Sequence, residues 1–216
     1  MERTLKITGK GTLAVAPDIL ILSFEAEAHK WDYEKTINSL NKKVDTLRAL
    51  LEAEGIPRTN LKTKDFRVRK ETIYNKATSV YDFNGYGATH SLEVELPLEK
   101  VLINKVLSQL ASNLQDLDFN IAFGVKDASA HQQQLIQLGI AKAKENATLI
   151  ATTTGVELQE ILEIDYSFRE LVIRSQRYDN VLYESSMAME TSPSYVDFEA
   201  DDIKVSETIT ITWRIG

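Results

Sequence analysis

The final stretch of the chain alternates between apolar and polar side chains. Its apolar positions are Ile203, Val205, Ile209, Ile211, Trp213 and Ile215. A period of two is typical of a β-strand that buries one face. Since an apolar face has to be covered, the pattern predicts that this last strand lies inside the fold.

Other segments alternate in the same way or switch to the period of a helix. Alternation recurs at 19–28, 86–96 and 119–125, and further strand-like segments lie at 7–16, 61–74 and 158–168. From Tyr33 to Leu51 the apolar residues are instead spaced 4, 3, 4, 3 and 4 apart, which predicts an amphipathic helix over about 32–54.

Two further helices are predicted on the C-terminal side of that one. Leu102, Val106 and Leu110 give the first its apolar face, and it follows Pro97. The second is a long helix whose end is marked by Gly155. Its expected buried stripe is Ile136, Ile140, Ala143, Ala147, Ile150 and Thr154.

The resulting element order is β-β-α-β-β-α-β-α-β-β. Residues 19–125 alone form β-α-β-β-α-β, the split βαβ pattern. Because the alternation is one-sided, the strands fit antiparallel sheets better than a doubly wound parallel sheet. We therefore predict an α+β fold over 1–216 as a single domain, with the split βαβ unit, a third long helix and added terminal strands.

Two segments interrupt this regular pattern. Residues 75–84 are predicted to form a polar hairpin tip, flanked by aromatic residues. Residues 169–202 have no sustained period and contain Ser, Thr and Met, so we expect an irregular excursion or mobile loop there.

Composition excludes several classes of site. The 216 residues include no Cys, which rules out disulfides, thiolate metal sites and cysteine nucleophiles. Lys and Arg number 25 against 32 Asp and Glu, a net charge of −7. A chain this acidic lacks the electrostatic footprint of a nucleic-acid-binding protein.

The sequence also bears on location. No apolar run reaches the roughly 20 residues that a transmembrane helix needs, and no signal-like segment follows the basic start. These features favour a cytoplasmic protein if the chain is complete as given. The alternative is a periplasmic or exported protein whose leader has been removed.

Five short motifs, in order along the chain, resemble one known family. They are Ile7-Thr8-Gly9-Lys10-Gly11 with Ala16-Pro17-Asp18, then 51–63, then Gly85-Tyr86-Gly87-Ala88-Thr89, then 121–127 with the Ala-rich 141–147, and finally 203–206. Together they resemble the SIMPL domain family, a domain of unknown function. Bacterial periplasmic and immunogenic envelope proteins belong to it, as does an animal protein associated with a pelle-like kinase. The resemblance implies the fold and an envelope or stress-related role, and it brings no catalytic residues.

Individual motifs favour structural roles. Gly9-Lys10-Gly11 lacks the third Gly of a dinucleotide loop, so a bulge or a close backbone approach is the expected reason for it. Gly85-Tyr86-Gly87 receives the same interpretation. Asp197, Glu199, Asp201 and Asp202 could hold a hard cation through oxygen ligands. A solvated acidic loop is the favoured interpretation.

The histidines do not form a metal-binding motif. His29, His90 and His131 are far apart in sequence, and none is followed by a partner four residues later. His90 shares the parity of the buried residues in its strand, so a buried neutral imidazole is expected. Glu93 and Glu95 have the other parity and are expected on the opposite face.

No motif of a known active site is present, so we assign no catalytic, cofactor-binding or metal-ligating residue and expect no enzyme. The favoured hypothesis is a SIMPL-type protein that forms a homo-oligomer or binds a protein partner. The aromatic residues around the hairpin tip offer a contact surface, unless they pack on Tyr178, Tyr183 and Tyr195 of the excursion. The alternative is an enzyme or small-ligand binder with a pocket near His90 or Asp18.

Overall fold

The structure is a computed structural model that describes residues 3–113, 117–175 and 199–216. Within these ranges the chain forms seven strands and three α-helices in the predicted order. The strands are β1 (Thr4–Val15), β2 (Ile19–Lys30), β3 (Lys62–Asn75), β4 (Val80–Pro97), β5 (Asp118–Gly124), β6 (Leu158–Asp165) and β7 (Ile203–Ile215). The helices are α1 (Tyr33–Ala53), α2 (Lys100–Asn113) and α3 (Ser129–Thr154).

The chain divides into two compact units, each built around one sheet. Among the described residues, the first unit combines 3–17, 124–175 and 200–216, and the second combines 18–113, 117–123 and 199. Both sheets are antiparallel, which confirms the α+β class. That 1–216 behaves as a single domain stays a prediction.

The second unit contains the split βαβ arrangement. Its four strands lie in the order β3-β4-β2-β5, and α1 and α2 connect them. The even-numbered residues of β2 and β4 form the helix face of this sheet, the side against which α1 packs. Its fully buried side chains include Leu20, Leu22, Phe24, Leu92 and Leu96.

Helix α1 buries the stripe that its spacing predicts, except at its first turn. Leu40, Val44, Leu47 and Leu51 are buried, whereas Tyr33 is largely exposed. Thr36 takes the place of an apolar residue, because its hydroxyl donates hydrogen bonds to backbone carbonyls at the start of the helix and on β4.

The hairpin between β3 and β4 is longer and its tip shorter than predicted. Both strands continue through the region expected to be the tip, so only residues 76–79 form the turn. Tyr74 pairs with Tyr81 across the strands, and Asn75 donates a hydrogen bond to the Asp82 carboxylate. Cross-strand aromatic and polar pairs stabilise a ladder, so they extend the strands beyond the apolar alternation.

The first unit has a three-stranded sheet in the order β1-β7-β6. Strand β7 is central, and its whole length pairs with β1, from Thr4 opposite Arg214 to Val15 opposite Ile203. Ile209, Ile211 and Trp213 are buried against α3, which confirms that the last strand belongs to the core.

Helix α3 buries Ala143 and Ala147 as predicted, but the rest of its buried stripe differs from the prediction. Its buried residues are Leu135, Gly139, Ala143, Ala147 and Ala151, and Ile150 is partly exposed. The reason lies in β1, where Gly9 and Gly11 allow the helix backbone to approach. A Cβ on Gly9 would lie 2.0 Å from the carbonyl oxygen of Gly139, and one on Gly11 would lie 2.1 Å from that of Leu135. At this contact the small residues Gly139 and Ala143 face Gly9, while Ile136 and Ile140 are only partly buried against the same core.

Strand β6 also departs from the predicted parity. The pairing of β6 with β7 is irregular on both sides of Ile161, which interrupts the regular alternation of the side chains. As a result Ile161 lies opposite Trp213, and Ile164 lies opposite Ile211. Phe168, which was expected to belong to this strand, follows its end and is exposed.

Part of the predicted excursion can be described. Ile173 is buried in a cluster with Val15 and Ile203, and its carbonyl accepts a hydrogen bond from the backbone of Val125. Residues 176–198, with Tyr178, Tyr183 and Tyr195, lie outside the described residues. None of the helices in the described part of the chain has the length and apolar character that a membrane crossing requires.

The two tryptophans provide a matched test of the core. Trp213 is 3% exposed and Trp31 is 64% exposed. We expect Trp213→Ala to lower the free energy of unfolding by about 3–5 kcal/mol, because it empties a packed site. Trp31→Ala should change it by no more than about 0.5 kcal/mol. Urea unfolding of both variants measures the difference, and equal effects would contradict the placement of β7 in the core.

Candidate interaction surface on the hairpin

A group of aromatic side chains lies at one end of the second unit, where β2 meets α1. Trp31 stacks edge-on against Phe83 with ring centroids 5.1 Å apart, and Phe83 in turn contacts Tyr86 at 5.4 Å. Tyr33, the first residue of α1, contacts Tyr86 at 5.7 Å. The four rings therefore form a continuous chain from the helix start to strand β4.

The same surface continues along the hairpin towards its tip. Tyr74 and Tyr81 pair across β3 and β4, with centroids 5.2 Å apart. Tyr81 is 68% exposed, and Phe83, which shares its parity, is also exposed. We call this set the hairpin aromatic surface; its members are Trp31, Tyr33, Tyr74, Tyr81, Phe83 and Tyr86.

Backbone geometry brings the two parts of this surface together. Gly85 has a φ of +93°, and a Cβ there would lie 2.6 Å from the carbonyl oxygen of Lys30. Only glycine fits this close approach without strain. The close backbone approach predicted for the Gly85-Tyr86-Gly87 motif is therefore confirmed at Gly85.

His90 is buried on the helix face of the same sheet. Its Nε2 lies 2.8 Å from the Thr63 hydroxyl, and its ring packs edge-on against Phe66. Within the described part of the chain its Nδ1 is buried and has no hydrogen-bond partner. Burial, with a smaller contribution from the charge of Arg48, lowers the pKa of His90 from its ordinary value of 6.5. The imidazole is therefore held neutral, as the parity of the strand predicts.

Asp18, the other residue near which a ligand pocket was considered, lies far from His90. The partner of His90 on β2 is Ala26, and Asp18 immediately precedes the opposite end of that strand. Eight residues of extended chain span about 26 Å. His90 and Asp18 cannot act together in one site.

Two glutamates of β4 lie across the sheet from His90. Glu93 is buried, and its carboxylate lies 2.8 Å from the Lys64 ammonium and 3.5 Å from the Ser23 hydroxyl. Glu95 is exposed on the same side. Their predicted placement on the opposite face from His90 is confirmed, and neither can serve as its acid or base partner.

Comparison with known families identifies the chain. The family described as SIMPL, protein of unknown function (DUF541), matches residues 5–213. The chain belongs to the SIMPL family. The match includes segments of both compact units. No curated protein matches the chain.

The opening motif of this SIMPL chain has a structural explanation. Gly9 and Gly11 lie where β1 meets the backbone of α3, and a side chain at either position would overlap that helix. The close backbone approach expected for Gly9-Lys10-Gly11 is therefore confirmed.

The remaining candidate ligands of the SIMPL chain do not converge among the described residues. His29 is exposed and lies 2.6 Å from the carbonyl oxygen of Asn84 and 3.4 Å from the Glu71 carboxylate. Glu199, Asp201 and Asp202 precede β7, whereas Asp197 lies outside the described residues. The described part of the chain holds no group of three or more His, Asp or Glu side chains placed to bind a metal.

Sequence reasoning missed two members of the hairpin aromatic surface. The helical spacing assigns Tyr33 to a buried stripe, although the stripe is buried only from Thr36 onward, and it gives no role to Trp31, which precedes the predicted helix. A usable signal is the presence of Trp31 and Tyr33 together at the junction between a predicted strand and a predicted helix. Their meeting depends on the register of β2 with β4, which places Lys30 opposite Tyr86.

The pKa of His90 predicts a specific pH dependence of stability. The folded state lowers this pKa, so the unfolded chain binds a proton first as the pH falls. The contribution of neutral His90 to the free energy of unfolding is complete above about pH 6.5. It is lost as the pH falls through the pKa of His90 in the folded state. The free energy of unfolding of the natural chain should therefore decline more steeply from pH 7.5 to 5.5 than that of His90→Gln. Urea titrations across this range measure how the free energy of unfolding of each chain changes with pH. Equal changes in the two chains would show that burial does not shift the pKa of His90.

Proposed function

We propose that this SIMPL protein is a non-enzymatic binding module that associates with further copies of itself or with another protein. The observation that carries the proposal is the hairpin aromatic surface. Exposed Trp, Tyr and Phe side chains in one continuous patch are enriched in protein interfaces and dominate their binding energy. Trp31 and Tyr81 are its two most exposed members.

The rigidity of this surface supports the proposal. Each aromatic side chain contacts another, and the β3–β4 ladder fixes the positions of Tyr74 and Tyr81. Rings that are held in place before binding lose little conformational freedom when a partner arrives. Charged side chains surround the patch, including Asp32, Lys35 and Asp82, and supply the polar rim typical of an interface.

The family resemblance supports placing this binding role in the bacterial envelope or in a stress response. Cell fractionation distinguishes an exported protein from the cytoplasmic alternative.

A second candidate function is the capture of a small ligand at His90. The buried Nδ1 without a hydrogen-bond partner among the described residues favours it, because such an atom has unused capacity to bind. Ligand-dependent shifts of the His90 ring in nuclear magnetic resonance spectra, absent from His90→Gln, would support this candidate. No shift with a broad metabolite set would remove it.

The proposed function is tested by removing the two most exposed rings together. We expect Trp31→Ala with Tyr81→Ala to weaken self-association or partner binding about 30-fold or more, since truncating a hot spot costs about 2 kcal/mol. Light scattering at micromolar concentration measures the mass against 24.4 kDa for one chain. Affinity capture from the source cells measures partner binding.

Val101→Ala with Leu149→Ala is the matched control, because both side chains are equally exposed but lie elsewhere. This control should bind as the natural chain does. If the natural chain is monomeric and captures the same proteins as the Trp31 and Tyr81 double variant, the proposal is wrong.

A further inference from the structure

Each sheet ends in a strand whose outer backbone groups have no strand partner in the described part of the chain. Strand β3 is an edge of the four-stranded sheet, and β6 is an edge of the three-stranded sheet. Unpaired N–H and C=O groups at an edge readily accept another strand. These two edges differ in their charge.

Strand β3 is basic, and β6 is acidic. In β3 the cations are Lys62, Lys64, Arg67, Arg69 and Lys70, against the anions Asp65 and Glu71. In β6 the charged residues are Glu160, Glu163 and Asp165, with no cation. The two edges therefore carry net charges of opposite sign.

Most charges of both strands lie on the open face, the side of each sheet without a helix, whereas Lys70, opposite Tyr86, has the parity of the helix face. Arg67 and Arg69 lie opposite Thr89 and Gly87 of β4, which have the parity of that face. Glu163 lies opposite Thr212 on β7, in the corresponding position of the other sheet. If β3 paired with β6 so that the helix faces of the two sheets lay on the same side, the arginines of β3 would lie beside the carboxylates of β6.

The helix faces of the two edges are apolar and partly uncovered. Phe66 of β3 is 46% exposed, and Ile164 of β6 is 57% exposed. Helix α3 packs mainly on β1 and β7, so it leaves Ile161 and Ile164 open. Pairing of the two edges would bring these apolar side chains together while the charges meet on the other face.

We propose that β6 of one copy pairs with β3 of a second copy. This inference rests on the self-association part of the proposed function, and it names the contact that joins the copies. Its basis is the opposite charge of two exposed edges. Both edges carry charged side chains on the open face and apolar side chains on the helix face.

Like edges repel one another, which makes the contact selective. Two β6 strands would set Glu163 and Asp165 against the same carboxylates of the other copy, and two β3 strands would set arginines against arginines. Strand β1, the other edge of the three-stranded sheet, is less suited to pair with a second copy. On its helix face Gly9 and Gly11 are already covered by α3. The unlike pair of β6 and β3 is the favoured one.

A contact between two different surfaces has a consequence for assembly. Each copy that uses its β6 still offers its β3, so association is head-to-tail. Such contacts either close into a ring or continue as a filament.

Charge reversal tests the contact directly. The acidic-edge variant carries Glu163→Lys and Asp165→Lys, and the basic-edge variant carries Arg67→Glu and Arg69→Glu. These positions are exposed, and the ion pairs of Arg67 with Asp65 and of Arg69 with Glu71 contribute little to folding. Circular dichroism checks that each variant is folded.

We expect the natural chain to form assemblies larger than 24.4 kDa at micromolar concentration in low salt, and each variant alone to have the mass of one chain. An equimolar mixture of the two variants should recover the assembly, since each reversed edge then meets an unlike edge. The chain carrying all four reversals should assemble like the natural one. Light scattering and analytical ultracentrifugation measure these masses.

Lys42→Glu with Lys144→Glu and Glu52→Lys with Glu145→Lys are the matched controls, because they make the same charge changes on exposed helix positions. Both should keep the mass of the natural chain. A monomeric natural chain, assembly that survives either edge variant, or a mixture that fails to recover assembly would each overturn the edge contact.

The hairpin aromatic surface is tested separately. If neither edge variant changes the mass but Trp31→Ala with Tyr81→Ala does, the edge contact is wrong and the proposed function stands. If the edge variants dissociate the assembly and the aromatic variant changes neither mass nor partner capture, the edge contact stands and the aromatic surface is not the binding site.

Discussion

The first unit depends on the direct approach of one backbone to another. Helix α3 lies so close to β1 that its carbonyl oxygens occupy the space where side chains of Gly9 and Gly11 would be. Gly139 faces them from the helix and also leaves room for Ile209 of β7. Any larger residue at these positions would lift the helix from the sheet, and the core around Trp213 would lose its cover.

Both sheets follow the same rule, in which one face packs against helices and the other carries polar side chains. The open face of β1 and β7 is rich in Thr, and the hydroxyls of Thr8 and Thr210 lie 2.8 Å apart across the strands. Away from the edge strands β3 and β6 the helix faces are filled by packed side chains, so apolar groups open to other molecules lie on edges and on the hairpin. The hairpin aromatic surface and the two charged edges are such places.

Much of the fold could be predicted from period alone. The last strand, helix α1 and the split βαβ order follow from where apolar residues recur, because burial on one side imposes that period. The full register of β6 could not be predicted, since irregular pairing around Ile161 places that residue, instead of Leu162, opposite Trp213. The stripe of α3 was predicted only in part: Ala143 and Ala147 are buried as expected, but an apolar period does not reveal the close contact with Gly9 and Gly11 that also buries Gly139.

The candidate surface was only partly predictable. Tyr74, Tyr81 and Phe83 stand near a recognisable turn, so their position at the hairpin could be inferred. The addition of Trp31 requires the pairing of β2 with β4 to be known residue by residue. The opposite charges of β3 and β6 are visible in the sequence, but they acquire meaning only when both strands are known to be edges.

The order of the chain through the two units has a consequence for how the protein is made. The described strands and helices of the second unit lie within one continuous stretch, 18–123, so this sheet can form while the ribosome is still adding later residues. The first unit is assembled from three separated pieces, and β1 emerges long before β7, the strand with which it pairs. Such pairing over long sequence separation is slow to form. Until β7 has been made, β1 has no strand partner, and its unpaired backbone groups are open to aggregation.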